Sequence, residues 1–160
     1  WVPNSIRGAM MNAPRRVMAV DPGEKHLGIA ISDPTATIAN PFLVLDHVSR
    51  TINAATIAQL ARENDVEKIV IGQALNWDGG PSPASRRAVR LAEALQIQTE
   101  VPVVLWDESG STREARSARI AMGVGRKKRR GHLDEIAATV ILQSYLDAQT
   151  SQGNSTSEGR

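Results

Sequence analysis

Two short runs constrain this chain more than any other feature. Lys68–Gly72 reads KIVIG and Pro102–Trp106 ends it with VVLW. Neither run alternates apolar with polar residues. A strand that is apolar on both faces of its pleat has to be covered on both, which calls for a sheet packed between helices. The flanking segments supply the rest of such a sheet. Val17-Met18-Ala19-Val20 is a β-branched, apolar run closed by Asp21, and Pro22-Gly23 signals a turn. Leu27–Ser32 (LGIAIS) returns as a second strand, so the two form a hairpin. A third strand falls within Thr37–Leu45, and Pro41 assigns it to an edge, because proline donates no ladder hydrogen bond.

The helices are equally marked. Ser49 caps a helix with Ile52, Ala55, Ile57, Leu60 and Ala61 as its apolar face, ending near Asn64. Ser82 followed by Pro83 is an N-cap with proline at the first helical position, opening a helix to about Gln98. Ser111–Glu114 has capping-box spacing and predicts a helix to about Met122. Gly123, Gly125 and Gly131 bracket a basic loop, and Leu133–Leu146 reads as the last helix, with Ile136, Val140 and Leu146 inward. The predicted order is β-β-β-α-β-α-β-α-α, an α/β fold with a mixed five-stranded sheet and helices on both faces.

The chain has 160 residues, 41% hydrophobic and 22% charged, which suits one domain. It has no cysteine, so disulfides and thiolate metal sites are excluded. Phe42, Tyr145, Trp1, Trp77 and Trp106 are the only aromatic residues, too few for an aromatic core. No apolar run approaches the roughly 18 residues of a membrane span, and the N-terminus carries no secretory pattern. The expectation is a soluble cytoplasmic protein without membrane contact. Residues 1–10 read as a cloning remnant with Met11 as the native start, 15–148 as a single folded domain, and 149–160 as a disordered polar tail.

Charge is unevenly spread. Between Arg113 and Arg130 lie eight of the 19 basic residues and one acid, a net +7, leaving −5 for the remainder. That asymmetry points to a local polyanion contact. Its densest part is Arg126, Lys127, Lys128, Arg129 and Arg130, directly before Asp134. Trp77, in the Asn76–Gly79 loop, offers a stacking face to an unpaired base, although a loop tryptophan more commonly covers a helix end.

Three places put carboxylates at strand ends or helix starts: Asp21, Asp107-Glu108 and Asp134-Glu135. Taken singly each is an ordinary turn residue or helix-dipole partner. Taken together they suggest a site, since clustered carboxylates need a cation or a proton to coexist. Oxygen ligands without His or Cys suit Mg²⁺ or Mn²⁺. Two such ions roughly 3.5–4 Å apart serve phosphodiester hydrolysis.

Four segments then resemble one family. They are DPGEKHLGIAISD (Asp21–Asp33), IGQALNWDGG (Ile71–Gly80), WDESGSTREA (Trp106–Ala115) and DEIAATVILQSYL (Asp134–Leu146), collinear across nearly the whole folded part. The chain is similar in these to the YqgF/RuvX family. The resemblance implies a ribonuclease-H-like fold and a nuclease, acting in 5′-end maturation of 16S ribosomal RNA or on Holliday junctions. It implies Asp21, Glu108 and Asp134 as catalytic metal ligands, with Asp107 as the alternative beside Glu108, and Lys25 as a phosphate contact. His26, Gln73-Ala74 and Ser109 depart from the family pattern, where Arg, Leu-Pro and Arg are usual. The expected partner is nucleic acid, an rRNA precursor or branched DNA. Junction cleavage would also call for a homodimer, since it takes two coordinated cuts. Two other classes compete. A catalytically weak RNA-binding domain would gain nothing from clustered negative charge. An actin-like nucleotide-binding domain shares the opening glycine turn but needs a second domain.

Overall fold

A computed structural model describes residues 15–76 and 78–107 and the backbone of 126–157, with side chains of that last segment from 136 to 151. Five strands, β1 (Arg16–Pro22), β2 (His26–Ser32), β3 (Ala39–Asp46), β4 (Val66–Gln73) and β5 (Val103–Asp107), form one sheet. Their order is β3-β2-β1-β4-β5. The β1–β2 and β2–β3 pairs are antiparallel, and β1–β4 and β4–β5 are parallel. Three described helices accompany the sheet: α1 (Arg50–Glu63), α2 (Pro83–Gln98) and α3 (Arg126–Ser157). The helix expected at 111–122 lies outside the described residues.

Pleat parity divides the sheet between two cores. Met18, Val20, Leu27, Ile29, Ile69 and Ile71 pack with Ile57 and Leu95 of α1 and α2. Val17, Ala19, Ala30 and Val70 pack with Ala138, Ile141, Leu142 and Tyr145 of α3. Double-sided cover is what the apolar character of β4 requires. β3 is an edge strand, and the ladder shifts between Ile29 and Ala30, opposite Pro41. β5 is the other edge and only half-buried, with Leu105 38% exposed, so it is not the buried strand its composition suggests. The turn after β2 is built on Asp33. Its carboxylate accepts the N–H groups of Thr35, Thr37 and Ile38 and the Thr35 hydroxyl, and it holds left-handed Ala36. Those bonds keep the Asp33 carboxyl well below the usual carboxylate range.

Two helices differ from expectation. Both caps of α1 form as predicted: Ser49 accepts from the Ile52 N–H, and Asn64 closes the helix. Its buried face, however, is Asn53, Ala54, Ile57, Ala58 and Ala61, while Ile52 is 52% exposed and Ala55 lies outside. A polar residue at a core position hides the phase of the stripe. Asn53 is buried because both ends of its amide are engaged, accepting from the Val48 N–H at 3.1 Å and donating to the Asp46 carbonyl at 3.0 Å. The last helix is longer than Leu133–Leu146 at both ends. Arg126–Arg130 are helical rather than a loop, as straight-chain cations favour, and Gly131 is accommodated within the helix. The helix also runs past residue 148 to Ser157. Extending a formed helix costs little per residue, and the Thr150 hydroxyl donates back to the Leu146 carbonyl.

α3 crosses its sheet face at close range because Gly72 lets it. A Cβ there would stand 2.3 Å from Ile141 Cδ1, 3.0 Å from Cγ1 and 3.3 Å from Cγ2. Moving the tip of the isoleucine cannot clear all three. Gly72→Ala is therefore expected to lower stability by about 1–3 kcal/mol. Thermal melts should show partial recovery in the Gly72→Ala, Ile141→Val double variant. Additive effects of the two changes would show that this contact is not the cause.

Candidate active site

The site is built from the carboxyl end of β1. Val17 and Ala19 face α3, so period-two alternation turns Asp21 to that face as well. Its antiparallel neighbour is Gly28. On the other side Val20 pairs with Ile71, so the next step of the parallel ladder brings Asp21 level with Gly72. A half-buried carboxylate thus lies between two strands that carry no side chain at its level. Over Gly72 sits Ile141. After Asp21 the chain reverses tightly, with the Gly23 N–H donating to the His26 carbonyl at 3.0 Å. A Cβ on Gly23 would come 2.4 Å from that oxygen, so only glycine fits the turn.

The direction of α3 is fixed by its contacts. Ile141 lies at Gly72, in the last part of β4, whereas Lys68 Nζ near the start of that strand stands 5.7 Å from the centre of the Tyr145 ring. The helix therefore runs antiparallel to β1 and β4. Its N-terminal half is carried toward the edge where Asp21 stands. Trp106 ties β5 to the same helix: its indole N–H donates to Ser144 Oγ at 3.2 Å, and its ring meets Tyr145 edge-on at 5.4 Å. Gln143 fixes the far side, accepting from the Ala39 N–H and donating to the Thr37 carbonyl.

The predicted site residues fall into three groups. Asp21 is at the strand end as expected, and Lys25 is exposed in the following turn. Asp107 ends β5, but it shares pleat parity with Val103 and Leu105, away from the face of Asp21. Glu108 and Trp77 lie outside the described residues. Arg126, Lys127, Lys128, Arg129, Arg130 and Asp134 lie on the described backbone of α3, and their side chains fall outside the description. His26, the departure from the family pattern, faces Asp46 across the β2–β3 pair, Nδ1 to Oδ1 3.1 Å.

Asp21 suits a hard divalent ion: it is an oxygen donor, half-buried, at a strand end lined by glycine. Among the described residues no three His, Asp or Glu side chains gather to hold a metal. Sequence reasoning passed over a second feature at this strand end. On the opposite face, Gly23, His47, Arg50, Asn53 and Arg87 surround a cavity of about 240 Å³. They come from the β1–β2 turn, the connection after β3, α1 and α2, and no local motif marks them.

Comparison with known proteins agrees with this architecture. The chain is 41% identical over 133 residues to a protein of Syntrophus aciditrophicus, covering 83% of this chain and 89% of that one. It is 36% identical to one of Caldanaerobacter subterraneus, covering 84% and 97%. Both bear the name "Putative pre-16S rRNA nuclease". Among solved structures, T. thermophilus RuvC in complex with Holliday junction substrate is similar at a TM-score of 0.54 and 15% identity, covering 86% of this chain and 96% of that one. The fowlpox virus Holliday junction resolvase is similar at 0.50 and 18%, covering 83% and 99%. These likenesses establish the ribonuclease-H-like fold. Among the described residues no helix is long and apolar enough to cross a membrane. The profile described as "RuvX: Holliday junction resolvase" matches residues 15–148, which with the relatives above shows that the chain belongs to that family of nucleases.

Proposed function

We propose that this protein is a metal-dependent endonuclease that hydrolyses phosphodiester bonds at the 5′ end of precursor 16S rRNA, in the cytoplasm. The observation that carries the reading is Asp21, half-buried between Gly28 and Gly72 at the end of the central strand, on the face that α3 covers. The choice of RNA rests on the names of the relatives that are 36–41% identical. The family's description favours a second reading, cleavage of four-way junctions, for which two copies of the chain would make the paired cuts.

Asp21, Glu108 and Asp134 would hold Mg²⁺ or Mn²⁺. The bound ions supply activation of water and neutralisation of charge on the leaving oxygen. The chain's own part is to hold the donors in place. β4 separates β1 from β5, so the two strand ends stand about 10 Å apart, two strand spacings. Asp107 has the parity of the opposite face, so Glu108 is proposed as the ligand in its place. Position 134 precedes Ile141 by two helical turns, about 10 Å along the axis, in the direction of that edge. It shares a stripe with Ala138, Ile141 and Tyr145, the residues that meet the sheet.

The basic run is proposed to hold substrate phosphates beside these ligands. In a helix its five positions cannot all face one way: 126, 129 and 130 share a side, and 127 and 128 lie off it. Three phosphate contacts are then the expectation, rather than five.

Two experiments test the reading. Asp21→Asn keeps size and removes charge. Loss of an outer-shell partner of a metal ligand commonly costs 10–100-fold, so loss of a ligand is expected to lower cleavage by at least about 100-fold with the melting temperature and substrate affinity retained. It is read on a precursor-rRNA fragment and a synthetic four-way junction, each with Mg²⁺ and with Mn²⁺. Wild-type turnover by the variant overturns the assignment, and preference for the junction selects the second reading. Replacing Arg126–Arg130 with alanine should lower the slope of log affinity against log salt by about 2–3, at roughly 0.7–0.9 per phosphate. An unchanged slope would make the run a solvated helix surface.

A further inference from the structure

The geometry points to a second phosphate site on the reverse side of the same strand end. We propose that the cavity between β1, α1 and α2 binds a phosphate group of the nucleic-acid substrate and so sets where the strand is cut. This rests on the nuclease reading of the Asp21 face and adds to it a site that takes no part in the chemistry.

Three observations carry the proposal. The first is the chemistry of the walls. Arg50, Arg87 and His47 line the cavity with Asn53, Gly23 and apolar residues that include Leu91. No acidic residue is among its described lining residues. Arg87 Nη1 stands 3.4 Å from the Glu24 carboxylate, whose side chain is 78% exposed, so that solvent weakens the pair.

The second is an unmet donor. Arg87 Nε is shut off from solvent and has no hydrogen-bond partner among the described residues. Buried donors are satisfied in the great majority of cases, and a guanidinium matches phosphate oxygens in a two-pronged geometry. Asn53 is not such a donor, since both ends of its amide are already used.

The third is misplaced charge. Arg50 is the first residue of α1 and Arg87 stands in the second turn of α2. Both helices lack an acidic residue in the first turn. Cations near the positive ends of two helices are unfavourable by themselves and become favourable once an anion sits between them.

Size and position narrow the ligand. At about 240 Å³ the cavity is smaller than the 300–1,000 Å³ usual for cofactor-sized ligands, so it suits a phosphate and part of its sugar rather than a whole nucleotide cofactor. Pro22 and Gly23 line it, and Asp21 directly precedes them on the other face of β1. A strand bent over the Gly23–Lys25 turn would place one phosphate at Asp21 and a neighbouring one in the cavity. The exposed Lys25 lies between the two.

The phosphate is either an internal diester of the strand or a terminal 5′-phosphate, and the substrate arms separate the two. The variants are Arg50→Gln with Arg87→Gln, and Arg87→Lys alone, which keeps the charge and removes Nε. Arg62→Gln, at the far end of α1, is the control. On the substrate that wild type cleaves, the double variant should raise KM about 10-fold, leave kcat within about 2-fold, lower the salt slope by about 1, and spread cleavage over neighbouring phosphates. Arg87→Lys should shift KM in the same direction by less, and it decides the matter if the double variant does not fold. An effect confined to 5′-phosphorylated substrate identifies the terminal group, and an equal effect on 5′-hydroxyl substrate identifies the diester. A direct readout does not depend on cleavage. Titrating Asp21→Asn protein with a short 5′-phosphorylated or 5′-hydroxyl oligonucleotide should move the backbone NMR resonances of Gly23 and His47, and the double variant should abolish those shifts. If wild type cleaves nothing but the shifts appear, the nuclease reading fails and the site stands. Unchanged KM, cut pattern and shifts in both variants overturn the site.

Discussion

The close approach of α3 to the sheet at Gly72 is the contact on which the arrangement of the functional edge depends. One missing Cβ lets Ile141 sit against the backbone of β4. From that point the rest of the helix follows as a rigid rod, with Tyr145 toward Lys68 and Trp106 in one direction and position 134 toward the end of β1 in the other. A side chain at Gly72 would lift the helix, and a small displacement at the pivot moves every residue along its length. Ala138, Leu142 and Leu146 make the same face apolar, so the helix has one seating.

The end of β1 reaches both faces of the sheet. Period-two alternation sends Asp21 to the α3 face, while Pro22 and Gly23 border the cavity between α1 and α2. The turn between these two faces is held by backbone geometry, the Gly23 N–H to the His26 carbonyl and the His47 N–H to the Lys25 carbonyl. The two proposed sites have opposite electrostatic demands, one acidic and one basic, and the sheet lies between them.

The chain belongs to the RuvX family. The shared fold leaves the carboxyl ends of β1, β4 and β5 on one edge, and α3 covers one face there. One departure from the family pattern falls on the outer part of the sheet. His26, in place of the usual Arg, turns to Asp46 on the outermost strand.

Local signals in the sequence determined most of the framework. Ser49 and Ser82 cap their helices because a side-chain oxygen meets an N–H three residues away, and Pro41 marks an edge because it has no N–H to give. The alternation of β1 and the two-faced apolar character of β4 determined which residues line each core. The same reading selected Asp21, through its position at a strand end before a glycine turn. Only the tertiary structure decided the features that join distant segments. The buried phase of α1 turned on Asn53, whose amide is satisfied by Asp46 and Val48 on the preceding strand and connection. The helical state of Arg126–Arg130 was masked by flanking glycines, although the residues themselves favour a helix. The cavity of Gly23, His47, Arg50 and Arg87 has no sequence signature at all, since four segments meet there only when both helices dock. Interactions within a few residues are written in the order of the chain, whereas those between elements exist only once hydrophobic burial has brought the elements together.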